Sequence, residues 1–251
     1  MNSEYDTYDY TKYWTKRTYE HESERLVIDE FLDSLKGKKK IIDIGCGFGR
    51  LAQVYERKAS EITLVDPSMK LLEIAKKKYS KSKKISYVKS NLELLPKKVK
   101  NNYYDLAFCI RVLHHVDNIE EAINSIDKVL DKKGYLVLEF ANKLHGKAVF
   151  SNFLKGNFTF PLDIDPVDRR SKKNIKNDSI LFLNHHPDLV RQVLKEKGFK
   201  ILEEKSVSNF RSGFFKENLP MSFLLKLEKW SQDILSKFNF GPSIFIIAQK
   251  K

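Results

Sequence analysis

Short apolar runs separated by segments of helical periodicity constrain this chain more than any other feature. Five come in succession: KIIDIG (40–45), EITLVD (61–66), ISYVKS (85–90), YDLAFCI (104–110) and YLVLEFA (135–141). The segments RLAQVYERK, MKLLEIAKKKY and NIEEAINSIDKVLDKKG between them read as helices. The last is expected to stop at Lys132, Lys133 and Gly134, with cations at the negative end of the helix dipole. Such alternation implies right-handed crossovers and a parallel sheet covered by helices on both faces. Two later runs, FKILEEKSV (199–207) and SIFIIAQKK (243–251), bring the sheet to seven strands. HHPDLVRQVLKEKG (185–198) reads as a helix stopped by Gly198, and residues 218–238 as a helical pair or one long helix. Residues 9–35 place Tyr19, Leu26, Ile28, Phe31, Leu32 and Leu35 at helical spacing.

The first run opens into IIDIGCGFGRLA (41–52), with glycines at 45, 47 and 49. In an open parallel sheet the first strand-to-helix turn lies where ligands bind. Gly45 and Gly47 let the backbone turn and approach a ligand, and Gly49 lets the next helix pack close to the strand. Asp66 ends the second run and suits the two hydroxyls of an adenosine ribose. A dinucleotide site wants a glycine at position 50, where Arg50 stands, so a nicotinamide oxidoreductase is disfavoured.

These residues resemble the first motif of the class I S-adenosylmethionine-dependent methyltransferases. VDPSMKLLEIAKKK resembles the second, SNLELLP the third, YDLAFCIRVLHHV the fourth, and DKVLDKKGYLVLEF the helix and strand that follow. The resemblance runs from about residue 39 to 140. It implies a Rossmann-like, seven-stranded, mostly parallel α/β fold that binds S-adenosylmethionine and releases S-adenosylhomocysteine. It further implies that Asp43 orients the methionine ammonium while the backbone of Gly45, Cys46, Gly47 and Gly49 approaches the methionyl part. Asp66 would hold the ribose, with Pro67, Ser68 and Met69 walling the adenine and Leu92 also at the cofactor. Asn91 stands where many relatives carry Asp; its carbonyl oxygen still accepts from an amino group. Ile110 and Arg111 fall at the sulfonium end. The stretch YTKYWTKRTYEHE is similar to a segment that lies across the cofactor mouth. Tyr13 and Trp14 would close over the ligand and Arg17 would meet its carboxylate; the alternative is that the aromatics are ordinary core anchors.

Methyl transfer requires the acceptor in line with the leaving sulfur, and a base when the acceptor is a hydroxyl or carbon acid. His114 and His145 are the candidates, with a structural imidazole bonded to backbone as the other reading of His114 and His115. Glu139 either orients the acceptor or is a solvated strand-end acid. His185, His186 and Asp188 look like metal ligands only superficially; Pro187 makes them a capped helix start, so no metal is expected. Residues 142–184 break the alternation and read as an insertion over the active site, and 209–240 as a helical insertion before the last strand. Phe150, Phe153, Phe158, Phe160, Phe182, Phe210, Phe214 and Phe215 suggest an apolar lid or a satellite core. The closing elements resemble small-molecule methyltransferases, among them the quinone-biosynthesis type.

The expectation is therefore a single domain over 1–251 with an N-terminal helical cap (1–36). It would methylate a small or lipid-like acceptor. The net charge of +13 leaves an RNA or protein methyltransferase as an alternative. The basic runs are scattered, and IRVL stands where adenine-N6 enzymes carry an aromatic tetrad, so nucleic acid is not favoured. A non-catalytic S-adenosylmethionine-binding module is a third reading. No run approaches a membrane span of about 18 apolar residues, and two cysteines, Cys46 and Cys109, form no disulfide framework. A cytoplasmic protein is expected; the oligomeric state is not legible.

Overall fold

The computed structural model describes residues 10–177 and 179–251, so the first nine residues of the expected cap lie outside it. Its strands are β1 (Lys39–Ile44), β2 (Ala59–Asp66), β3 (Ile85–Lys89), β4 (Tyr104–Cys109), β5 (Leu130–Ala141), β6 (Val167–Asp168), β7 (Leu183–Asn184), β8 (Phe199–Val207) and β9 (Ser243–Lys250). Its helices are α1 (Tyr10–Trp14), α2 (Thr18–Ser34), α3 (Ala52–Tyr55), α4 (Met69–Lys78), α5 (Leu95–Lys98), α6 (Ile119–Val129), α7 (Gly146–Leu154), α8 (Lys172–Lys176), α9 (Pro187–Glu196), α10 (Gly213–Asn218) and α11 (Met221–Ser236).

Seven strands form one sheet in the order β3-β2-β1-β4-β5-β9-β8. Pairings from β3 through β5 are parallel, and β9 runs antiparallel between β5 and β8. Strands covered on both faces need apolar side chains at successive positions, which is why the runs are continuous. Ile42, Ile44, Cys109, Leu136 and Leu138 face one core with α6 and α9. Ile41, Leu64, Leu106, Phe108 and Val137 face the other with α2 and α4. The strand order reverses between β1 and β4, and a crevice opens beyond their carboxyl ends.

Three expectations need correction. The helix expected over 9–35 is broken: α1 ends at Trp14, Arg17 leaves helical space at φ −125°, ψ 35°, and α2 starts at Thr18. A straight helix would carry the Trp14 ring away from Arg50, onto which it stacks at 3.6 Å. The helix expected to reach Gly134 ends at Val129, because Leu130 already pairs with Tyr104 of β4. Lys133, at φ 58°, makes the left-handed turn assigned to the glycine. Gly134 serves close approach instead, since a Cβ there would lie 2.9 Å from the Asp131 carbonyl. RLAQVYERK forms only the short α3 and a 3-10 turn, Glu56–Lys58.

Residues 142–184 leave the end of β5 and return through a bridge between Asn142 and His185. They carry α7, α8 and the β6–β7 ribbon. Asn142 is fully buried and ties this root down. Its amide donates to the carbonyls of Asn239 (2.6 Å) and Gly241 (2.7 Å), and its oxygen accepts from Leu144 N (2.8 Å).

Candidate active site

The turn after β1 is held by its own backbone. Gly45, at φ 71°, brings its amide to the Val65 carbonyl, and a Cβ there would overlap the Val112 side chain. A Cβ on Gly49 would fall 2.9 Å from Tyr79 and 3.3 Å from Leu64, so this glycine admits the end of α4 and β2 rather than the helix that follows it, α3. Asp66, at the end of β2, accepts from Gly47 N and Ser68 N, each at 2.8 Å. The acid thereby shapes the glycine loop, and an ionised carboxylate has roughly four acceptor sites to share with a ligand.

A cleft of about 440 Å³ lies over this turn. Of the residues expected at the cofactor, Gly45, Gly47, Asp66, Pro67, Asn91, Leu92 and Arg111 line it. Leu71 and Val112 add apolar wall, and Tyr10 lies 3.7 Å from where a Cβ of Gly47 would sit. Bare backbone, a strand-end carboxylate and apolar walls are what a nucleoside with a charged tail requires.

Other expected cofactor residues do not line this cleft. Ser68 is buried and caps α4 by accepting from Leu71 N, Met69 is exposed, and Ile110 and Cys46 are in the core. Asp43 is buried behind the loop and accepts from the Tyr55 hydroxyl; burial pushes its pKa up to about 6. Asn91, which does line the cleft, spends its oxygen on Leu94 N (3.1 Å) and its amide on Glu93. Trp14 is not at the ligand surface; it stacks on Arg50 and lies 5.0 Å from the Arg111 guanidinium.

The sequence reading missed the group that docks the N-terminal helix. Glu24 of α2 is fully buried between two arginines. Arg50 approaches one oxygen at 2.5 Å and Arg111 Nε the other at 2.6 Å. Burial works against the Glu24 charge, yet Arg111 and Arg50 hold its pKa below the ordinary value. Arg50, which excluded a dinucleotide loop, is thus a structural latch. Arg111 has φ 59°, a strained value for a non-glycine residue, and is held there from both ends. Its amide donates to Glu139 at 2.7 Å and its guanidinium to Glu24. Glu139 is not solvated: it is buried and also accepts from the Ser243 hydroxyl.

A second cavity, of about 890 Å³, adjoins the cleft and shares Tyr10, Arg111, His115 and Ile180 with it. Tyr13, Arg17, His114 and His145 line this one. His115 makes the backbone contact expected of one imidazole, to Leu181 O at 2.6 Å. His114 is buried and its Nδ1 has no hydrogen-bond partner among the described residues. Burial, then His115 and Arg111, hold its pKa well below the ordinary value. His145 caps α7, its Nδ1 accepting from Ala148 N at 3.2 Å, and burial with Arg211, Arg169 and Lys147 lowers its pKa to about 4. It is therefore a neutral imidazole with its proton on Nε2. His186 caps α9 by accepting from Asp188 N.

A family model described as a methyltransferase domain matches residues 42–138, from β1 through most of β5. An uncharacterised protein of Methanocaldococcus jannaschii is 32% identical over 168 residues, covering 64% of this chain and 69% of that one. The ubiquinone biosynthesis O-methyltransferase of Pelagibacter ubique is 33% identical over 113 residues, 45% of this chain and 46% of the relative. The chain belongs to the class I S-adenosylmethionine-dependent methyltransferases. Its match spans about half the length of the ubiquinone-pathway relative. The fold of this methyltransferase is shared by an S-adenosylmethionine-dependent methyltransferase from Mesorhizobium loti (TM-score 0.60, 16% identity, 89% of this chain and 96% of that one). It is shared too by the magnesium protoporphyrin IX methyltransferase of Synechocystis, solved with bound S-adenosylhomocysteine (TM-score 0.59, 17% identity, 92% and 84%). S-adenosylmethionine is the cofactor of this family, and the residues around the 440 Å³ cleft fit it. None of the described helices is long and apolar enough to cross a membrane.

Proposed function

We propose that this methyltransferase methylates a small or lipid-like molecule bound in the 890 Å³ cavity, acting in the cytoplasm as one domain with residues 142–184 as its lid. The observation that carries this reading is the shared wall. Tyr10, Arg111, His115 and Ile180 border both spaces, so a ligand over the glycine loop and an acceptor in the cavity meet there. Asp66 and the Gly45–Gly47 backbone hold the cofactor, with Pro67 and Leu92 at its base. Bound there, it supplies an electrophilic methyl on a sulfonium sulfur.

The chain's own work is positioning and proton handling. Glu24 and Glu139 hold Arg111 at the junction, and α1 screens it from water. His114 is the base. Its ring lines the cavity, and its depressed pKa describes an imidazole that stays neutral and able to take the acceptor's proton as the new bond to carbon forms. His145, whose Nδ1 is engaged, acts as a donor to the acceptor instead.

Isothermal titration calorimetry with S-adenosylmethionine and S-adenosylhomocysteine is the first test; absence of binding by both overturns the reading. His114→Gln should lower kcat at least about tenfold while leaving the KM for S-adenosylmethionine unchanged. With the wild type, the acid limb of kcat should fall well below the ordinary imidazole value of about 6.5.

A further inference from the structure

The acceptor cavity is lined by seven lysines and arginines and by a single acid, Glu139. That acid is already occupied by the Arg111 amide and Ser243. Neighbouring cations of the same segment are matched by acids: Lys143 with Asp163 at 2.8 Å, and Arg170 with Asp168 at 2.8 Å. Lys147, Arg169 and Arg211 are not, nor is Lys155 after α7. Among the described residues, no direct hydrogen bond or ion pair engages the side chains of Lys147, Arg169 and Arg211, and all three are exposed and line the cavity. They come from α7, from the end of β6 and from the loop before α10, so only the fold gathers them. Lys147 and Arg211 also border, with His145, a further cavity of about 590 Å³, so Lys147, Arg211 and His145 share one stretch of wall. His145 adds an Nε2–H donor there. Phe160, Val167 and Phe182 supply an apolar wall beside them.

We infer that Lys147, Arg169 and Arg211 form a subsite for a phosphate ester, so that the acceptor joins a phosphoryl group to an apolar body. This rests on the cavity being the acceptor pocket of the methyltransferase. Three unmatched cations and a neutral donor call for more than one negative charge. A phosphate monoester carries nearly two at pH 7 and offers three acceptor oxygens, whereas a carboxylate carries one charge and two oxygens. Guanidinium groups also take phosphate oxygens in a bidentate manner. Phe160 and Val167 would lie against the remainder of the molecule.

The test is calorimetry at constant ionic strength on protein saturated with S-adenosylhomocysteine. The probes are phenyl phosphate, dihexanoyl phosphatidic acid and phenylacetate. At least one phosphate probe should bind ten times more tightly than phenylacetate, and the tighter of the two tells a small aromatic from a lipid source. Arg169→Ala combined with Arg211→Ala should weaken that binding at least tenfold, while S-adenosylhomocysteine binds as in the wild type. Equal binding of phenylacetate, or phosphate binding indifferent to the double substitution, overturns the inference. So does tRNA binding that the double substitution abolishes while both phosphate probes fail to bind. Failure of S-adenosylhomocysteine to bind the wild-type protein counts against the methyltransferase reading alone, because the phosphate titrations can be repeated without it.

Discussion

At the scale of single residues, three buried carboxyls do different work. Asp66 accepts two backbone amides, and an asparagine would turn an NH2 group against one of them. Asp66→Asn is therefore expected to weaken S-adenosylhomocysteine binding at least about tenfold, roughly 1.4 kcal/mol, as read by calorimetry. Glu24 balances two arginines with 12% and 14% exposed side chains. Glu24→Ala leaves both unpaired, and urea denaturation should show a loss of about 3 kcal/mol. Asp43 carries a pH signature, because burial raises its pKa from 3.8 to about 6. Below the lower value the group is protonated in folded and unfolded chains alike. Between the two, the unfolded chain releases its proton and the folded chain keeps it, so stability falls as pH rises through this window and levels off above it. The drop is on the order of 3 kcal/mol, and Asp43→Asn should flatten this part of the stability profile. The sequence announced Asp43 and Asp66 by their place at strand ends. It did not announce Glu24, because nothing local marks one acid of TYEHESERLVIDEFLDS as the buried one.

At the scale of elements, the site depends on two attachments. One is the latch between α2 and the glycine loop, through Glu24 and Arg50, with Trp14 over both arginines. The other is the root of the 142–184 segment, where Asn142 satisfies two carbonyls and one amide at once. Asn142→Ala strands those groups in a buried position. The expected result is a loss of about 2 kcal/mol and faster proteolytic cleavage within 142–184, while β1 to β4 stay resistant. Element boundaries followed the sequence wherever local periodicity and local caps agree, as for α9, capped by His186 and stopped near Gly198 at φ 84°. They departed from it where a distant partner decides. Leu130 reads as the continuation of a helix, yet its backbone is claimed by Tyr104.

At the scale of the whole molecule, the net charge of +13 is unevenly committed. Many cations are dispersed over helix ends and loops, while the 890 Å³ cavity concentrates unmatched ones. A nucleic-acid enzyme would use an extended basic surface; a basic pocket suits a small anion better. A tRNA gel-shift at about 0.15 M salt is expected to show no complex, and a salt-sensitive shift there would favour the RNA reading. The exposed rings of Phe150, Phe153 and Phe158 belong to the segment expected to cover the site, but they face solvent rather than the cavity, whose ring contacts come from Phe160 and Phe182.

The chain's own order of residues determined the sheet, its parallel character, the glycine turn and the acid that braces it. Each of these is encoded within a few tens of contiguous residues, through side-chain periodicity and backbone freedom. Only tertiary structure decided which aromatics face the ligand, why Arg50 stands where a dinucleotide loop needs glycine, and which cations meet in one cavity. Those outcomes depend on residues far apart in the chain, brought into contact as Glu24 and Arg111 are, or onto one cavity wall as Lys147 and Arg211 are. Burial and pairing over such distances are properties of the packed molecule, and no window of the sequence contains them.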